Sequence, residues 1–467
     1  LGLFLLVPFL LFTCHLHAVS EGASIIGGFS WSPTLGVDFV WRLDGLSLTF
    51  ALLISGIGTL IVLYSGGYMK GHADQGRFFS FILLFMGAML GLVLSDSFLM
   101  LFVYWELTSI TSFLLIGFDH ERERARRGAY QALIVTGGGG LCLLAGLLLV
   151  GQITGTSTLS GAIGAHAAIV DHPLATTALV LIILGAFTKS AQFPFHFWLP
   201  NAMEAPTPVS AFLHSATMVK AGVYLLMRLY PLFGSFTLWQ AVLPLFGGVT
   251  LVIGAFLALR QTDLKLMLAY TTVASLGLLV MLTGIGHEKA IEAAALYLLA
   301  HALFKGALFM IAGVIDHETG TRDITRLGGL GRAMPVTFSA ALLAACSMGG
   351  LPFFSGFMAK EEIYAAITPS LPFLAAFAGN AMMFAVGFAI ALRVFAGPKA
   401  ETPKHPHDGP VLLMAGPVVL ALKGLAVALF PGILHETISS PMASAIAGHK
   451  VAVTISAIPH LSMPFLL

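Results

Sequence analysis

Charged residues are scarce in this sequence, because Asp, Glu, Lys and Arg together make up only 10% of its 467 residues. A soluble domain carries about 25% charged residues, so the composition excludes an ordinary soluble protein. The formal net charge is only +1, which gives no basis for nucleic-acid binding. Hydrophobic residues account for 57% of the chain. The composition therefore predicts an all-α polytopic membrane protein that lies in a lipid bilayer.

Cysteine is also rare, with Cys14, Cys142 and Cys346 as the three examples. Each stands alone within an apolar segment, without the CxxC or Cys/His spacing of a metal site. The sequence shows no haem, flavin or cysteine-cluster signal either. We therefore expect packed thiols, with no disulfide framework, no metal and no cofactor.

Long apolar runs are abundant, and a membrane span needs roughly 20 such residues. About 14 runs qualify, near 1–19, 44–69, 78–94, 97–118, 128–151, 174–201, 206–230, 237–259, 263–285, 290–316, 334–366, 371–397, 409–431 and 451–467. The sequence starts with Leu, and both of its ends fall inside apolar runs. We expect one transmembrane module over 1–467 that is a piece of a longer chain.

Basic residues accumulate in alternate loops, and Lys and Arg mark the cytoplasmic side of a membrane protein. One set of loops, at 70–77, 120–127, 260–265, 317–332 and 398–407, contains 13 of the 23 Lys and Arg residues. The opposite set contains Arg42, Lys289 and Lys450. This asymmetry predicts that the first set lies in the cytoplasm and that the polar loop at 152–173 lies outside.

Two of the runs, 174–201 and 334–366, are long and interrupted by proline. Pro194 follows Lys189 in the sixth run, and Pro352 precedes Lys360 in the eleventh. Proline lacks an N–H group and clashes with the preceding turn, so we expect a helix break at each. Runs five spans apart point in opposite directions, which predicts two inverted repeats of five helices with ion sites at the breaks.

A few ionisable residues lie inside apolar runs. Glu106 is the one interior charge of the fourth run, and a carboxylate at the bilayer centre costs about 2.5–3.5 kcal/mol. It should therefore face a partner or a wet cavity, and Lys189 beside the break is the expected partner. Burial favours the neutral form of each group, while proximity favours the charged pair. Such a pair can act as a proton switch, or alternatively as a static salt bridge between helices.

Histidine and lysine recur in other spans. His301 and Lys305 are four residues apart and share a helix face, and histidine is suited to proton relay because it titrates near neutral pH. His214 has similar standing, although a lone histidine is also consistent with a packed core residue. Lys220, six residues later, is expected either to snorkel or to pair elsewhere. Lys265 lies near a helix start, where an interfacial position is the alternative to a relay.

Six segments stand out as motifs: LDGLS at 43–47, WE at 105–106, KSAQFPFHFWLPNAM at 189–203, APTPVSAFLHSATMVKAGVYL at 205–225, QTDLKLMLAYTT at 261–272 and LLAHALFKGALFM at 298–310. Together they resemble a known family, the antiporter-like membrane subunits of respiratory complex I and of multisubunit Mrp cation/proton antiporters. Within the family, WELTSITSFLLIGF and DHETGTRDITRLGGL are more similar to the A subunit of Mrp antiporters than to the large distal subunit of complex I.

The resemblance implies a role for each matching residue. Glu106 would be the paired acid, Lys189 its partner at the broken helix, Lys305 the central lysine and Lys360 the terminal lysine. The residues that would complete the proton path are His214, Lys220, Lys265 and His301. Tyr297 departs from the pattern, because some relatives have a histidine there, so that relay link is in doubt.

The resemblance implies a proton-conducting subunit of a multisubunit Na⁺/H⁺ antiporter in the cell membrane, with protons moving along a midplane chain of Glu, Lys and His. Other subunits, including a homologous antiporter-like subunit, would be its partners. The alternative is a proton-pumping membrane subunit of a complex I-like NADH:quinone oxidoreductase. A scaffold that passes no ions is disfavoured, since buried ionisable residues cost insertion energy.

Overall fold

The computed structural model describes residues 2–32, 37–367 and 370–451, and these residues are mostly helical. The first nine helices are α1 (Gly2–Thr13), α2 (Leu16–Ser20), α3 (Gly45–Tyr68), α4 (Gln75–Leu94), α5 (Phe98–Ile116), α6 (Glu123–Thr154), α7 (Leu159–Gly164), α8 (His166–Val170) and α9 (Ala175–Lys189). The next six are α10 (Trp198–Asn201), α11 (Thr207–Ser215), α12 (Ala221–Phe233), α13 (Thr237–Leu259), α14 (Leu264–Ile285) and α15 (Glu288–Thr319).

The last six helices are α16 (Pro335–Gly349), α17 (Ser355–Ala366), α18 (Leu371–Phe388), α19 (Val411–Leu429), α20 (Pro431–Leu434) and α21 (Ser440–Ala447). Short 3₁₀ segments occupy Phe195–Phe197, Ala202–Glu204, Met218–Lys220, Ile324–Arg326 and Leu330–Arg332. Two segments are π-helical, Ala389–Arg393 and His435–Ser439. Helices therefore make up most of the described residues, as expected for an all-α protein.

That expectation is wrong for a two-stranded antiparallel sheet formed by β1 (Ile25–Ser32) and β2 (Val37–Leu43). Ile25 pairs with Leu43 and Phe29 with Phe39, and the rings of Phe29 and Phe39 stack at 5.4 Å. β-Branched and aromatic residues favour strands, and this segment lies between two apolar runs and outside both. The hairpin therefore forms outside the expected spans, where backbone N–H and C=O groups need not be satisfied within a helix.

Ten helical stretches among the described residues are long and apolar enough to cross a membrane. Three further expected spans match shorter apolar helices, at Phe4–Ser20, Ala175–Lys189 and Pro335–Gly349. The expected span at 451–467 lies, apart from its first residue, outside the described residues. The structure thus establishes a mostly helical protein with ten clearly apolar helices.

The central helices are buried almost throughout, whereas fewer than half of the residues of the outer helices are buried. The stretch Thr207–Phe233, α14 and α15 form the interior, and α4, α6, α13 and α18 lie at the periphery. α14 packs against α13 and α15, and α15 also packs against α11, α16, α17 and α19. Polar side chains on α11, α14 and α15 therefore face other protein segments rather than lipid.

Local sequence signals fix where the interior helices begin and end. Asp44 caps α3 in a capping box with Ser47, in which each side chain bonds the backbone N–H of the other residue. Asp263 caps α14 by accepting the N–H groups of residues 265 and 266. Gly286 ends α14 with φ +74°, a backbone conformation that glycine adopts without strain.

Three helices are interrupted at membrane depth. α9 ends at Lys189 and is followed by the 3₁₀ turn at Phe195–Phe197, and α16 ends at Gly349 before α17 begins at Ser355. The third break, between α11 and α12 at residues 216–220, was not expected. Such breaks leave backbone groups that only other protein atoms or water can satisfy.

Candidate functional site

Glu106 lies on α5, half-buried, and its side chain faces the glycine-rich part of α6. Its Oε1 atom is buried and has no hydrogen-bond partner in the described part of the chain. A Cβ atom built on Gly140 would overlap this oxygen, while one on Gly137 would lie 3.6 Å from Oε2. The absence of a side chain at Gly137 and Gly140 therefore makes room for the carboxylate.

Lys189 is fully buried at the end of α9 and also reaches α5. Its Nζ atom donates to the carbonyl oxygen of Trp105 at 3.0 Å and to Ser109 Oγ at 2.7 Å. The ammonium group lies 5.2 Å from the centre of the Trp105 ring, which adds a cation–π contact. Lys189 is thus bound by α5 residues on both sides of Glu106, Trp105 just before it and Ser109 three positions after it.

The expected direct approach of Glu106 to Lys189 is not seen as an ion pair among the described residues. The two charges still act on each other electrostatically. A carbonyl and a hydroxyl oxygen satisfy the ammonium group without the cost of bringing a second buried charge to it. The Glu106 side chain and the Lys189 ammonium group therefore lie beside the same part of α5 without a direct ion pair among the described residues.

The break after α9 is sealed by hydrogen bonds to neighbouring elements. Trp198 Nε1 donates to the carbonyl oxygen of Thr188 at 2.9 Å, and the N–H of Phe193 donates to Thr250 Oγ1 at 2.9 Å. Ser190 Oγ donates to the carbonyl oxygen of Val219 at 2.7 Å, which joins this break to the one between α11 and α12. Lys189 therefore sits at a helix end that the surrounding protein stabilises.

Lys220 lies at the unexpected break and is fully buried, so the prediction that it snorkels is wrong. Its Nζ atom donates to the carbonyl oxygen of Leu298 on α15 at 3.1 Å, which fits the alternative that it pairs elsewhere. The interruption re-aims the side chain inwards, whereas a continuous helix would have placed it roughly opposite His214. No proline in residues 209–230 marks this break in the sequence.

His214 and His301 occupy the centre of the molecule, and both are fully buried. All four of their ring nitrogen atoms lack a hydrogen-bond partner in the described structure. His214 stacks on Phe309 with ring centres 5.3 Å apart, and the charges of Lys220 and Lys305 act on His301. Buried polar atoms without partners are costly and call for an explanation such as water or a functional role.

Lys305 lies one turn after His301 on α15 and is also fully buried. Its Nζ atom donates to the carbonyl oxygen of Leu268 at 3.1 Å and to the hydroxyl group of Thr271, both on α14. Tyr297, one turn before His301, shares a 2.9 Å hydrogen bond with Ser275. The side chains of α15 thus meet a row of hydroxyl groups on α14.

Lys265 is buried within the protein near the start of α14. Its Nζ atom donates to the carbonyl oxygens of Met203 at 2.8 Å and Ala205 at 2.6 Å, in the turn that follows the first broken helix. A cavity of about 340 Å³ reaches it from the side of the basic loops. Asp316 and Arg322 also line this cavity.

Lys360 on α17 closes the second broken helix. Its Nζ atom donates to the carbonyl oxygens of Met348 at 2.9 Å and Gly349 at 3.1 Å, which are the last residues of α16. Gly350, with φ +80°, lies against the lysine side chain. The lysine therefore neutralises the negative end of a helix dipole at the break near Pro352.

A buried ion pair that the sequence did not reveal joins α12 to the start of α3. Arg228 on α12 forms a bidentate salt bridge with Asp44, at 2.5 Å and 2.9 Å, and Arg42 adds a contact at 3.1 Å. Burial alone would raise the pKa of the Asp44 carboxyl group, but Arg228 holds that pKa well below its usual range. The partners are 184 positions apart in the sequence, which gives no signal of their contact.

The expectation of no metal site rests on sequence spacing, and the described residues contain no group of three or more His, Cys, Asp or Glu side chains suited to hold a metal ion. The candidate site contains buried lysine, histidine and carboxylate groups. These groups can accept and release protons, and the five buried lysines that donate to backbone carbonyls have no direct carboxylate partner in the described structure.

Comparison with known proteins covers most of the chain. A family model described as "NADH:quinone oxidoreductase/Mrp antiporter, TM" matches residues 95–394, and a second, "NADH-Ubiquinone oxidoreductase (complex I), chain 5 N-terminus", matches residues 30–79. A probable K⁺/H⁺ antiporter A/B subunit of Rhizobium meliloti is 45% identical over 97% of this chain and 47% of its own length. The A subunit of the Na⁺/H⁺ antiporter of Alkalihalophilus pseudofirmus is 43% identical over 94% of this chain and 58% of its own length.

A solved structure, the "Mrp complex from Dietzia sp. DQ12-45-1b", contains a chain that matches with a TM-score of 0.87 and 36% identity, over 99% of this chain and 51% of that one. The archaeal "membrane-bound sulfane sulfur reductase (MBS)" shares the fold, with a TM-score of 0.82 and 24% identity, over 91% of this chain and 70% of that one. The chain spans about half the length of the curated relatives that it matches. Because the first family model covers well over half of its residues, the chain belongs to the NADH:quinone oxidoreductase/Mrp antiporter transmembrane family.

Proposed function

We propose that this chain is the proton-conducting module of the A subunit in a multisubunit Na⁺/H⁺ antiporter. The observation that carries the proposal is the row of buried lysine and histidine side chains without carboxylate partners, between two broken helices. Burial of such groups is expensive, so their retention at membrane depth favours ion transport over packing. The relatives described above are named as K⁺/H⁺ and Na⁺/H⁺ antiporter subunits, which supports the same activity.

The proposed proton path uses the residues of this row. Glu106 and Lys189 form its first unit, and Lys305 with its neighbour His301 forms the centre. The remaining members are His214, Lys220, Lys265 and Lys360. The cavity that reaches Lys265 supports entry from the cytoplasmic side. Threonine and serine hydroxyl groups beside Lys305 and Lys189 give bound water the partners that a proton relay needs.

We propose about 14 spans, with two inverted repeats of five helices whose broken members are 174–201 and 334–366. The matched bonding of Lys189 and Lys360 to backbone carbonyl oxygens supports this symmetry. The chain would lie in a bacterial cell membrane together with other antiporter subunits, one of them homologous to it. The cytoplasmic placement of the basic loops rests on their charge.

The experiment is a transport assay on the purified full-length complex in lipid vesicles that hold a pH gradient. We expect added Na⁺ to dissipate the gradient in the absence of NADH and quinone, and Lys305→Ala to abolish this response. Formation of a pH gradient on addition of NADH and quinone, with no response to Na⁺, would instead favour the complex I-like proton pump, which the family model also includes. A K⁺ titration alongside would identify the preferred cation.

A further inference from the structure

Two histidine–glutamate pairs lie at the start of α15, at the end opposite to the basic loops. His435 Nδ1 is 3.2 Å from Glu292 Oε1, and His449 Nε2 is 2.9 Å from Glu288 Oε1. The two glutamates are four residues apart and share one helix face. The pairs therefore lie one above the other along the helix axis.

The two pairs differ in exposure. Glu292 is fully buried, the His435 side chain is 18% exposed, and the Glu288 and His449 side chains are 50% and 59% exposed. The buried pair and the exposed pair therefore place titratable groups both in the protein interior and at the surface. A static salt bridge would not require this gradation.

Glu292 has hydrogen-bonding capacity that the protein does not use. Its Oε2 atom is buried and has no hydrogen-bond partner in the part of the chain that the structure describes. A buried carboxylate oxygen without a partner is costly, and water or an exchanging proton would satisfy it. The contact between Glu292 and His435 therefore leaves one carboxylate oxygen unsatisfied, which a purely structural pair would not require.

The backbone around His435 is also irregular. His435–Ser439 is π-helical, and Ser439 Oγ lies 3.2 Å from His435 Nδ1. Short π-helical turns are rare and occur frequently at functional sites. The irregular turn gives the imidazole ring two alternative partners, a carboxylate and a hydroxyl group, on the same nitrogen atom.

The cluster interacts with α17, the helix that contains the last lysine of the proposed path. α17, which contains Lys360, packs against α15. Glu362, two residues after Lys360, interacts electrostatically with Glu292 and His435, and also with Glu361 and Lys289. These charged groups from α15 and α17 face the pair and set the field in which it exchanges protons.

We propose that Glu292 and His435, followed by Glu288 and His449, form the outlet through which protons pass between Lys360 and the outer surface. This inference rests on the proposed function. In each passage a proton leaves the Glu292 carboxyl group for His435 Nδ1, which gives a carboxylate and an imidazolium ion. The imidazolium ion then loses its other proton from Nε2 to water or to the outer pair, and the ring is neutral again.

The test compares His435→Gln, His435→Ala and Glu292→Gln in the full-length complex, with the external pH varied. The matched control is His166→Gln, since His166 lies in the loop at 152–173 on the same side and has no carboxylate partner among the described residues. We expect exchange to fall by at least about tenfold in each His435 and Glu292 variant. The control should transport normally.

External imidazole should restore part of the exchange in His435→Ala, and the dependence on external pH should change in His435→Gln. Normal exchange in both His435→Gln and Glu292→Gln would overturn the outlet. Loss of exchange without imidazole rescue or a changed pH profile would overturn it as well, in favour of a structural pair. Failure of the unmodified complex to exchange Na⁺ for protons would refute the proposed function instead.

Discussion

Two kinds of buried charge coexist in this molecule. Asp44 and Arg228 neutralise each other in a bidentate salt bridge, and the Ser47 N–H and Tyr224 hydroxyl groups complete their hydrogen bonds. Lys305 and Lys189 donate only to carbonyl and hydroxyl oxygens, and the neighbouring histidines have unpartnered nitrogens in the described structure. The first arrangement fixes a charge state, whereas the second leaves the charge free to change.

The difference also appears in location. The Asp44–Arg228 pair joins the start of α3 to α12, where it holds two helices together. The uncompensated groups lie beside helix breaks or on α15, which is almost entirely buried. The stabilising pair and the proposed transport groups therefore differ in whether their hydrogen-bonding capacity is saturated.

The largest effect is expected at the central lysine. Lys305→Ala should leave the complex assembled but reduce exchange by about 100-fold or more, the scale of a lost proton-transfer group. Lys305→Arg should also fail, because arginine does not release its proton. Lys423→Ala is the matched control, since Lys423 lies in the apolar helix α19 but is exposed. Near-normal transport by Lys305→Arg would show that only a fixed positive charge is needed.

The opposite outcome is expected for the saturated pair. Asp44→Asn should destabilise the folded protein by roughly 3–5 kcal/mol, because Arg228 would be left buried and unpaired. Because the pKa of Asp44 lies below its ordinary value, its contribution is fully present at neutral pH and is lost only as the pH falls through the lowered pKa. Thermal unfolding in detergent measures the loss.

The double variant Asp44→Asn with Arg228→Gln should recover much of this stability. Its exchange rate per assembled complex should equal that of the unmodified complex. If assembled Asp44→Asn complexes fold stably yet fail to transport, the division between the two kinds of charge breaks down.

A smaller effect is expected at Glu106. Glu106→Gln should reduce exchange by about tenfold, because Lys189 would lose the negative charge that acts on it. Stability should change little, because no ion pair is broken. Flux assays and unfolding curves on the same preparation separate these two readouts. A stability loss as large as that of Asp44→Asn would place Glu106 among the structural charges.

The smallest effect is expected in the glycine-rich part of α6. Gly140→Ala places a methyl group where Glu106 Oε1 lies, so the carboxylate must move and exchange should fall a few-fold. Gly138→Ala is the control, because nothing lies within 4 Å of its added Cβ. Alanine favours helix over glycine by roughly 1 kcal/mol, so neither variant should unfold readily. Equal transport by both variants would show that the position of the carboxylate is unimportant.

Sequence patterns predicted the features that local chemistry determines. Apolar runs located the ten long helices, and proline placed the interruptions after Lys189 and before Lys360. The family resemblance was confirmed by the match over residues 95–394. The individual transport roles of the lysines and histidines stay predictions.

Other features depend on the tertiary structure. The break before Lys220 carries no proline, and the neighbouring Val219 carbonyl is bonded by Ser190, 29 residues away. The salt bridge of Asp44 with Arg228 joins distant segments, and backbone carbonyls, which every residue has, satisfy Lys305 and Lys265. Residue identity therefore does not reveal which oxygen a buried lysine meets.

The bonding of the lysines to backbone carbonyls has a consequence for voltage. A carbonyl cannot give up a charge, so each deprotonation of Lys305 changes the net charge of the membrane interior by a full unit. Moving one charge across the whole membrane changes its energy by about 2.3 kcal/mol per 100 mV, and an interior site experiences part of that. The Asp44–Arg228 pair is neutral as a unit and insensitive to the same field. If Lys305 carries protons as proposed, the membrane potential therefore acts directly on whether this lysine is protonated.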